Sequence, residues 1–174
     1  MVHSIGLIGC GGIASAWSRA VAAEEDARIA LAFDLSREAA EQRAAETGAE
    51  AVAALEQIWD RDDVSIVVIG TPTASHPELV EQAAQAGKHI MCEKPMARTV
   101  REAERMLQAA QKARRNLMIN FSYRFSDMSY ALKDEVERGA VGDIYFGRTV
   151  WHRRRGFPGF GGWFCDKDLS LIHI

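Results

Sequence analysis

Lys94 is the side chain in this sequence best suited to moving a proton. Its amine stands in the run Cys92-Glu93-Lys94-Pro95, directly after an apolar stretch, and an amine held beside a substrate hydroxyl can share a proton with it. Pro95 disfavours the helical region for the residue before it, so Lys94 is presented from an extended loop. Alone, the tripeptide reads as a solvated lysine paired with Glu93. A second constellation changes that reading. Residues 5–14, Ile-Gly-Leu-Ile-Gly-Cys-Gly-Gly-Ile-Ala, run from a buried-strand pattern into a glycine-rich turn. Gly9 permits the tight turn, Gly11 lets backbone approach a phosphate with no Cβ in the way, and Ala14 keeps the next helix close to the strand. Gly12 and Ile13 complete the turn. The N–H groups at the helix start lack intrahelical partners, so with the helix dipole they can face an anion. Asp34 ends the next apolar run about 20 residues after Ala14, where a dinucleotide-binding unit places the carboxylate that holds the adenosine ribose. Asp34 repels a 2′-phosphate and favours NAD, while Arg37 offers NADP a partner for that phosphate; NAD is slightly favoured.

A third loop, Gly70-Thr71-Pro72-Thr73-Ala74-Ser75-His76, also follows an apolar run. Open α/β sheets bind ligands at the carboxyl ends of their strands, so Thr71 and Pro72 are expected beside the nicotinamide half of the coenzyme. Ser75 is the expected N-cap of the helix after it. Strand patterns fall near 3–8, 28–33, 50–52, 65–70, 88–92 and 116–120, with helical patterns near 12–23, 36–47, 54–59, 76–86 and 99–114 between them. The last helix carries an apolar stripe of Val100, Ala103, Met106, Leu107, Ala110 and Ala113. Gly48 and Gly87 are placed as left-handed C-caps. This alternation predicts an α/β fold, a Rossmann doubly wound parallel sheet over residues 1–121. Beyond it the rhythm changes. A helix near 127–138, an alternating strand at 144–151 and a tail dense in glycine and aromatics read as the beginning of a second, incomplete α+β domain over 122–174.

Composition excludes several partners. The 174 residues carry a formal net charge of −3 and 48% apolar side chains, which argues against a nucleic-acid partner and provides for a core. No apolar run approaches a membrane span, and Met-Val-His-Ser leads straight into the first strand, so no signal peptide is expected. Three cysteines without C-x-x-C spacing read as reduced thiols of a cytoplasmic protein. His152 and His173 lack ligand spacing, so no metal is expected. Arg153-Arg154-Arg155 reads as a solvated loop, and Trp17 and Trp59 as packing residues. A methyltransferase using S-adenosylmethionine also has a glycine turn and an acidic second strand, but it leaves Glu93-Lys94-Pro95 unexplained.

The glycine turn, Thr71-Pro72 with His76, Ala86-Gly87-Lys88-His89 leading into Glu93-Lys94-Pro95, Tyr123-Arg124-Phe125 and Gly142-Asp143-Ile144 together resemble the Gfo/Idh/MocA oxidoreductases. The stretch Trp151 to Ser170 is similar to a subgroup of that family. The resemblance implies hydride exchange between a nicotinamide coenzyme (NAD or NADP) and a sugar, inositol or related polyol, in proteins that assemble as homo-oligomers. It assigns Gly9, Gly11 and Ala14 to the pyrophosphate, Asp34 to the ribose, and Thr71, Pro72 and His76 to the coenzyme cleft. It sets Glu93 and Lys94 at the nicotinamide and substrate hydroxyl, with Lys94 the catalytic residue and Arg124 a helper. It also implies a cis Lys94–Pro95 peptide. Ser122 and Thr73 stand where the family more often has Asn. After Ser170 the family continues into a glycine run, an Asp and an acid/base His; Leu171-Ile172-His173-Ile174 does not match that pattern, so His173 receives no role. The resemblance therefore implies a truncated second domain with impaired catalysis, or a dinucleotide-binding module without catalysis. A loose tail beyond about residue 151 follows from that expectation.

Overall fold

A computed structural model of the chain describes residues 2–152, 154 and 162–170. The described residues of 1–120 and 163–174 form one compact unit, and Phe121–Gly162 another. In the first, six parallel strands, β1 (His3–Ile8), β2 (Ala27–Phe33), β3 (Glu50–Ala51), β4 (Val64–Ile69), β5 (His89–Glu93) and β6 (Leu117–Asn120), make one sheet in the order β3-β2-β1-β4-β5-β6. Helices α1 (Ala14–Ala22), α2 (Arg37–Thr47), α3 (Glu56–Trp59), α4 (His76–Gln85) and α5 (Val100–Ala113) connect them. The strand order reverses its progress across the sheet between β1 and β4, the switch point at which such sheets open a crevice.

Strand alternation divides the core between the two faces. Ile8, Val67 and Ile69 point to the side that holds Ile58, Leu79, Val80 and Met106. Ile5, Leu7 and Val68 point the other way, toward Ala14 and Val21 of α1. The central strands are therefore apolar on both faces, as a covered parallel sheet requires. Gly6 has a packing reason inside β1: a Cβ there would stand 2.7 Å from Ile58 Cγ2.

The expected strands and helices form with boundaries moved by a residue or two, and Gly48 closes α2 with φ +74. α5 begins with a reciprocal cap in which Thr99 Oγ1 accepts from the Glu102 N–H and the Glu102 carboxylate accepts from the Thr99 N–H. Its apolar stripe is only partly used: Met106 and Ala110 are buried, while Val100 is 76% exposed and Leu107 47%. No helix among the described residues is long and apolar enough to cross a membrane.

Three expectations are corrected. Ser75 does not cap α4 with its side chain; its hydroxyl bonds Thr71 Oγ1 at 2.7 Å and Pro72 O at 2.8 Å, closing the preceding loop instead. Residues 144–151 carry an alternating pattern but form no strand, and none of the described residues pairs with them. Residues 163–170, expected in a loose tail of the second domain, join the first unit. There the Ala74 N–H donates to Leu169 O at 3.3 Å, the Arg98 guanidinium donates to Asp168 O, and Ser170 is buried. The second unit holds α6 (Asp127–Glu137), capped by Ser126, and an edge-to-face pair of Tyr123 with Trp151. The Arg153-Arg154-Arg155 run, except Arg154, and His173 lie outside the described residues, as does Gly156-Phe157-Pro158.

Substituting Gly6→Ala tests the β1 packing. The added methyl presses on the fully buried Ile58, and overpacking of this kind costs about 1–3 kcal/mol. A urea midpoint equal to that of the parent chain would contradict the contact.

Candidate functional site

The glycine turn is clamped between the carboxyl ends of its two neighbours. Gly9 N–H donates to Phe33 O of β2, and Gly70 N–H donates to Ile8 O, each at 2.8 Å. Gly9 has φ +93, and a Cβ on it would come 2.8 Å from the Gly70 carbonyl carbon. Only glycine fits both the conformation and the gap. In front of the turn the space opens. A Cβ on Gly11 or Gly12 would meet nothing within 4 Å, and the N–H groups of Gly11, Gly12 and Ile13 meet no acceptor among the described residues. Ala14 faces inward, fully buried, where a larger side chain would push α1 off the sheet.

A groove of about 460 Å³ lies over the turn. Gly9, Gly11, Gly12 and Ile13 form one part of its lining, Phe33, Asp34 and Leu35 a second, and Gly70, Thr71 and Pro72 a third. Asp34 has a structural duty that its position in sequence did not disclose. Its Oδ2 accepts from the Cys10 N–H and its Oδ1 from the Ser36 N–H, both at 2.8 Å. The carboxylate thus ties the glycine turn to the start of α2, and each oxygen keeps a second lone pair for a ligand hydroxyl. Arg37 does not line the groove. It pairs with Glu41 along α2, Nε to Oε1 at 2.6 Å, with 60% of its side chain exposed.

His76 also stays out of the groove. It is 1% exposed, with Nε2 at 3.0 Å from Thr71 O and Nδ1 at 3.1 Å from Pro95 O. The imidazole thus lies between the loop after β4 and the loop after β5, each ring nitrogen facing a carbonyl; a neutral ring donates to one of them and an imidazolium to both. Glu93, at the end of β5, is buried as well. Its Oε1 accepts from the Trp17 indole N–H at 2.9 Å and from the Asn120 amide at 2.7 Å, and its Oε2 from the Lys94 N–H at 3.2 Å. Lys94 is exposed at the same edge of the sheet, and the Lys94–Pro95 peptide is cis. Arg124 lies in the short turn Ser122–Phe125 of the second unit, with its side chain exposed.

From the sequence, Trp163 and Phe164 had no part in the site, only a place in a stretch similar to a family subgroup. Trp163 and Phe164, stacked with ring centroids 3.9 Å apart, complete the groove from the far end of the chain. Beyond that similarity their signal was a density of aromatics and glycines, which suits a loose tail as well as a ligand wall. Burial, reinforced by the Asp34 carboxylate, pushes the Cys10 thiol up to about 11, and burial beside Glu93 pushes the Cys92 thiol up as well.

Comparison with known proteins agrees with this geometry. Residues 3–121 match the Gfo/Idh/MocA oxidoreductase family, described by its NAD-binding Rossmann fold. The chain is 33% identical to an inositol 2-dehydrogenase of Rhizobium meliloti over 83% of its own length and 43% of the relative's. It superposes on the WlbA dehydrogenase of Bordetella pertussis, solved with NADH and UDP-GlcNAcA, with a TM-score of 0.79 and 30% identity, covering 83% of this chain and 42% of that one. A 3-ketoreductase of Actinomadura kijaniata, solved with NADP and TDP-benzene, gives a TM-score of 0.74 and 28% identity, covering 83% of this chain and 45% of that one. The chain thus spans less than half the length of the relatives it matches.

Two measurements check the site. His76→Leu keeps the bulk but leaves the Thr71 and Pro95 carbonyls without their ring partner, and a loss of about 1–3 kcal/mol is expected from urea unfolding. For Cys10, the raised pKa means that the reactive thiolate grows about tenfold per pH unit below 11. Iodoacetamide labelling followed by mass spectrometry should be slow at pH 8 and climb steeply toward pH 10; rapid labelling at pH 8 would refute a buried, protonated thiol.

Proposed function

We propose a function on one premise: the chain belongs to the Gfo/Idh/MocA oxidoreductase family, whose NAD-binding Rossmann fold its residues 3–121 match. The groove at the switch between β1 and β4 holds a nicotinamide dinucleotide, and the reaction served is hydride exchange with a sugar, inositol or related polyol. The observation that carries the reading is the open space before Gly11 and Gly12, beside three N–H groups that no acceptor among the described residues engages. Those amides, with the start of α1, suit the two negative charges of a pyrophosphate.

Each remaining residue has a part in this reading. Gly9, Gly11, Gly12 and Ile13 shape the phosphate seat, and Ala14 sets the helix behind it. Asp34 receives the ribose hydroxyls on its free lone pairs. Its charge disfavours a 2′-phosphate, and Arg37 is occupied by Glu41, which favours NAD over NADP. Thr71 and Pro72 border the nicotinamide half, and His76 fixes the Thr71 carbonyl from behind. When bound, the nicotinamide ring supplies the hydride acceptor or donor. The Lys94 amine takes or returns the proton of the substrate hydroxyl, Glu93 sets the start of the loop that carries it, and Arg124 keeps the helper role that the family resemblance implies.

Gly11→Val is the decisive test. The structure has room for the side chain, so the urea midpoint should not move, while the valine fills the space assigned to phosphate. NADH affinity, read by coenzyme fluorescence, should fall at least tenfold. Equal affinity in the variant and the parent, or no NADH uptake by the parent, would overturn the reading. A panel of polyols then separates an active oxidoreductase from a module that binds the dinucleotide without turnover.

A further inference from the structure

We propose that Trp17 and Asn120 are positioning residues that act through Glu93 to fix the main chain at Lys94. The inference rests on the coenzyme reading above and adds how the amine is aimed. Glu93 is 6% exposed, and none of the ion pairs among the described residues includes it. A carboxylate withdrawn from water in this way has to be satisfied by hydrogen-bond donors. It takes three, from three different elements: the Trp17 indole on α1, the Asn120 amide at the end of β6, and the N–H of Lys94 itself.

The division of labour on the carboxylate follows from its two oxygens. Oε1 receives both side-chain donors, and this pins the plane of the group. Oε2 is then held where the Lys94 N–H meets it. That last bond is the longest of the three at 3.2 Å, so it depends most on the other two keeping the carboxylate from turning. Trp17 serves twice. Its ring body packs against the Ile5, Leu7 and Val68 cluster, and its polar edge reaches Glu93. The helix whose first turn follows the phosphate seat is therefore the helix that orients the lysine loop. A phenylalanine at position 17 would keep the packing and lose the tether.

Amide hydrogen exchange resolved by NMR tests this on the full chain, with an NADH titration run beside it. W17F and N120L should each speed exchange at the Lys94 N–H about tenfold while Val67 and Ile69 in β4 are unchanged, and NADH affinity should stay within about twofold. E93Q discriminates further. Its single oxygen can serve Trp17 and Asn120, which turns its NH₂ against the Lys94 N–H, so Lys94 exchange should accelerate while the Trp17 indole N–H stays shielded. E93Q carries the test if W17F fails to fold. NADH uptake with Lys94 exchange unmoved in the variants, or with Lys94 and β4 accelerated together, overturns the positioning role alone. A parent chain that takes up no NADH overturns the coenzyme reading, and the positioning role falls with it.

Discussion

The close approach of Gly9 to the end of β4 is the constraint on which the rest of the site depends. The turn has to leave β1 and reverse toward α1 within van der Waals distance of Gly70 and Thr71, and a single methyl would fill that gap. Because the two strand ends meet there, the ladder bonds continue into the turn on both sides, from Gly9 to Phe33 and from Gly70 to Ile8. A rigid floor results, and the amides of Gly11, Gly12 and Ile13, which meet no acceptor among the described residues, are held at its rim. Glycine at position 11 answers a different need. There the fold would accept a side chain, and the space in front of the backbone stays open.

Around that floor, buried polar groups join loops that the sheet alone would leave independent. Asp34 ties the glycine turn to α2, His76 ties the loop after β4 to the loop after β5, and Glu93 ties α1 and β6 to Lys94. Each does so with hydrogen bonds to backbone or to neutral donors. Such bonds are directional, so they fix position more sharply than apolar contact does. Polar satisfaction and site geometry are here the same set of interactions.

The sheet and its helices were legible in the sequence because their signals are local. Apolar runs such as Val64 to Ile69 and capping residues such as Thr99 and Gly48 act within a few positions of themselves. The glycine turn, Asp34 and the lysine loop were legible for a similar reason, since each pairs a residue type with a strand end. What escaped reading depends on which partner a side chain finds, sometimes one far away in the chain. Trp17 looks like core packing until Glu93, 76 positions on, is seen beneath its indole. Ser75 is a good cap by type, yet its hydroxyl finds Thr71 and Pro72 first. Residues 144–151 alternate as a strand would, but alternation states a preference for pairing and cannot supply the neighbour.

The placement of Trp163 and Phe164 bears on how the protein comes into being. The glycine turn leaves the ribosome well before the aromatic pair that lines its groove, which is made after the sixth strand is complete. During synthesis the nascent chain therefore carries a finished floor with one side open, exposed to whatever nucleotides the surroundings hold. The part of the groove wall that Trp163 and Phe164 supply awaits the synthesis of this late segment.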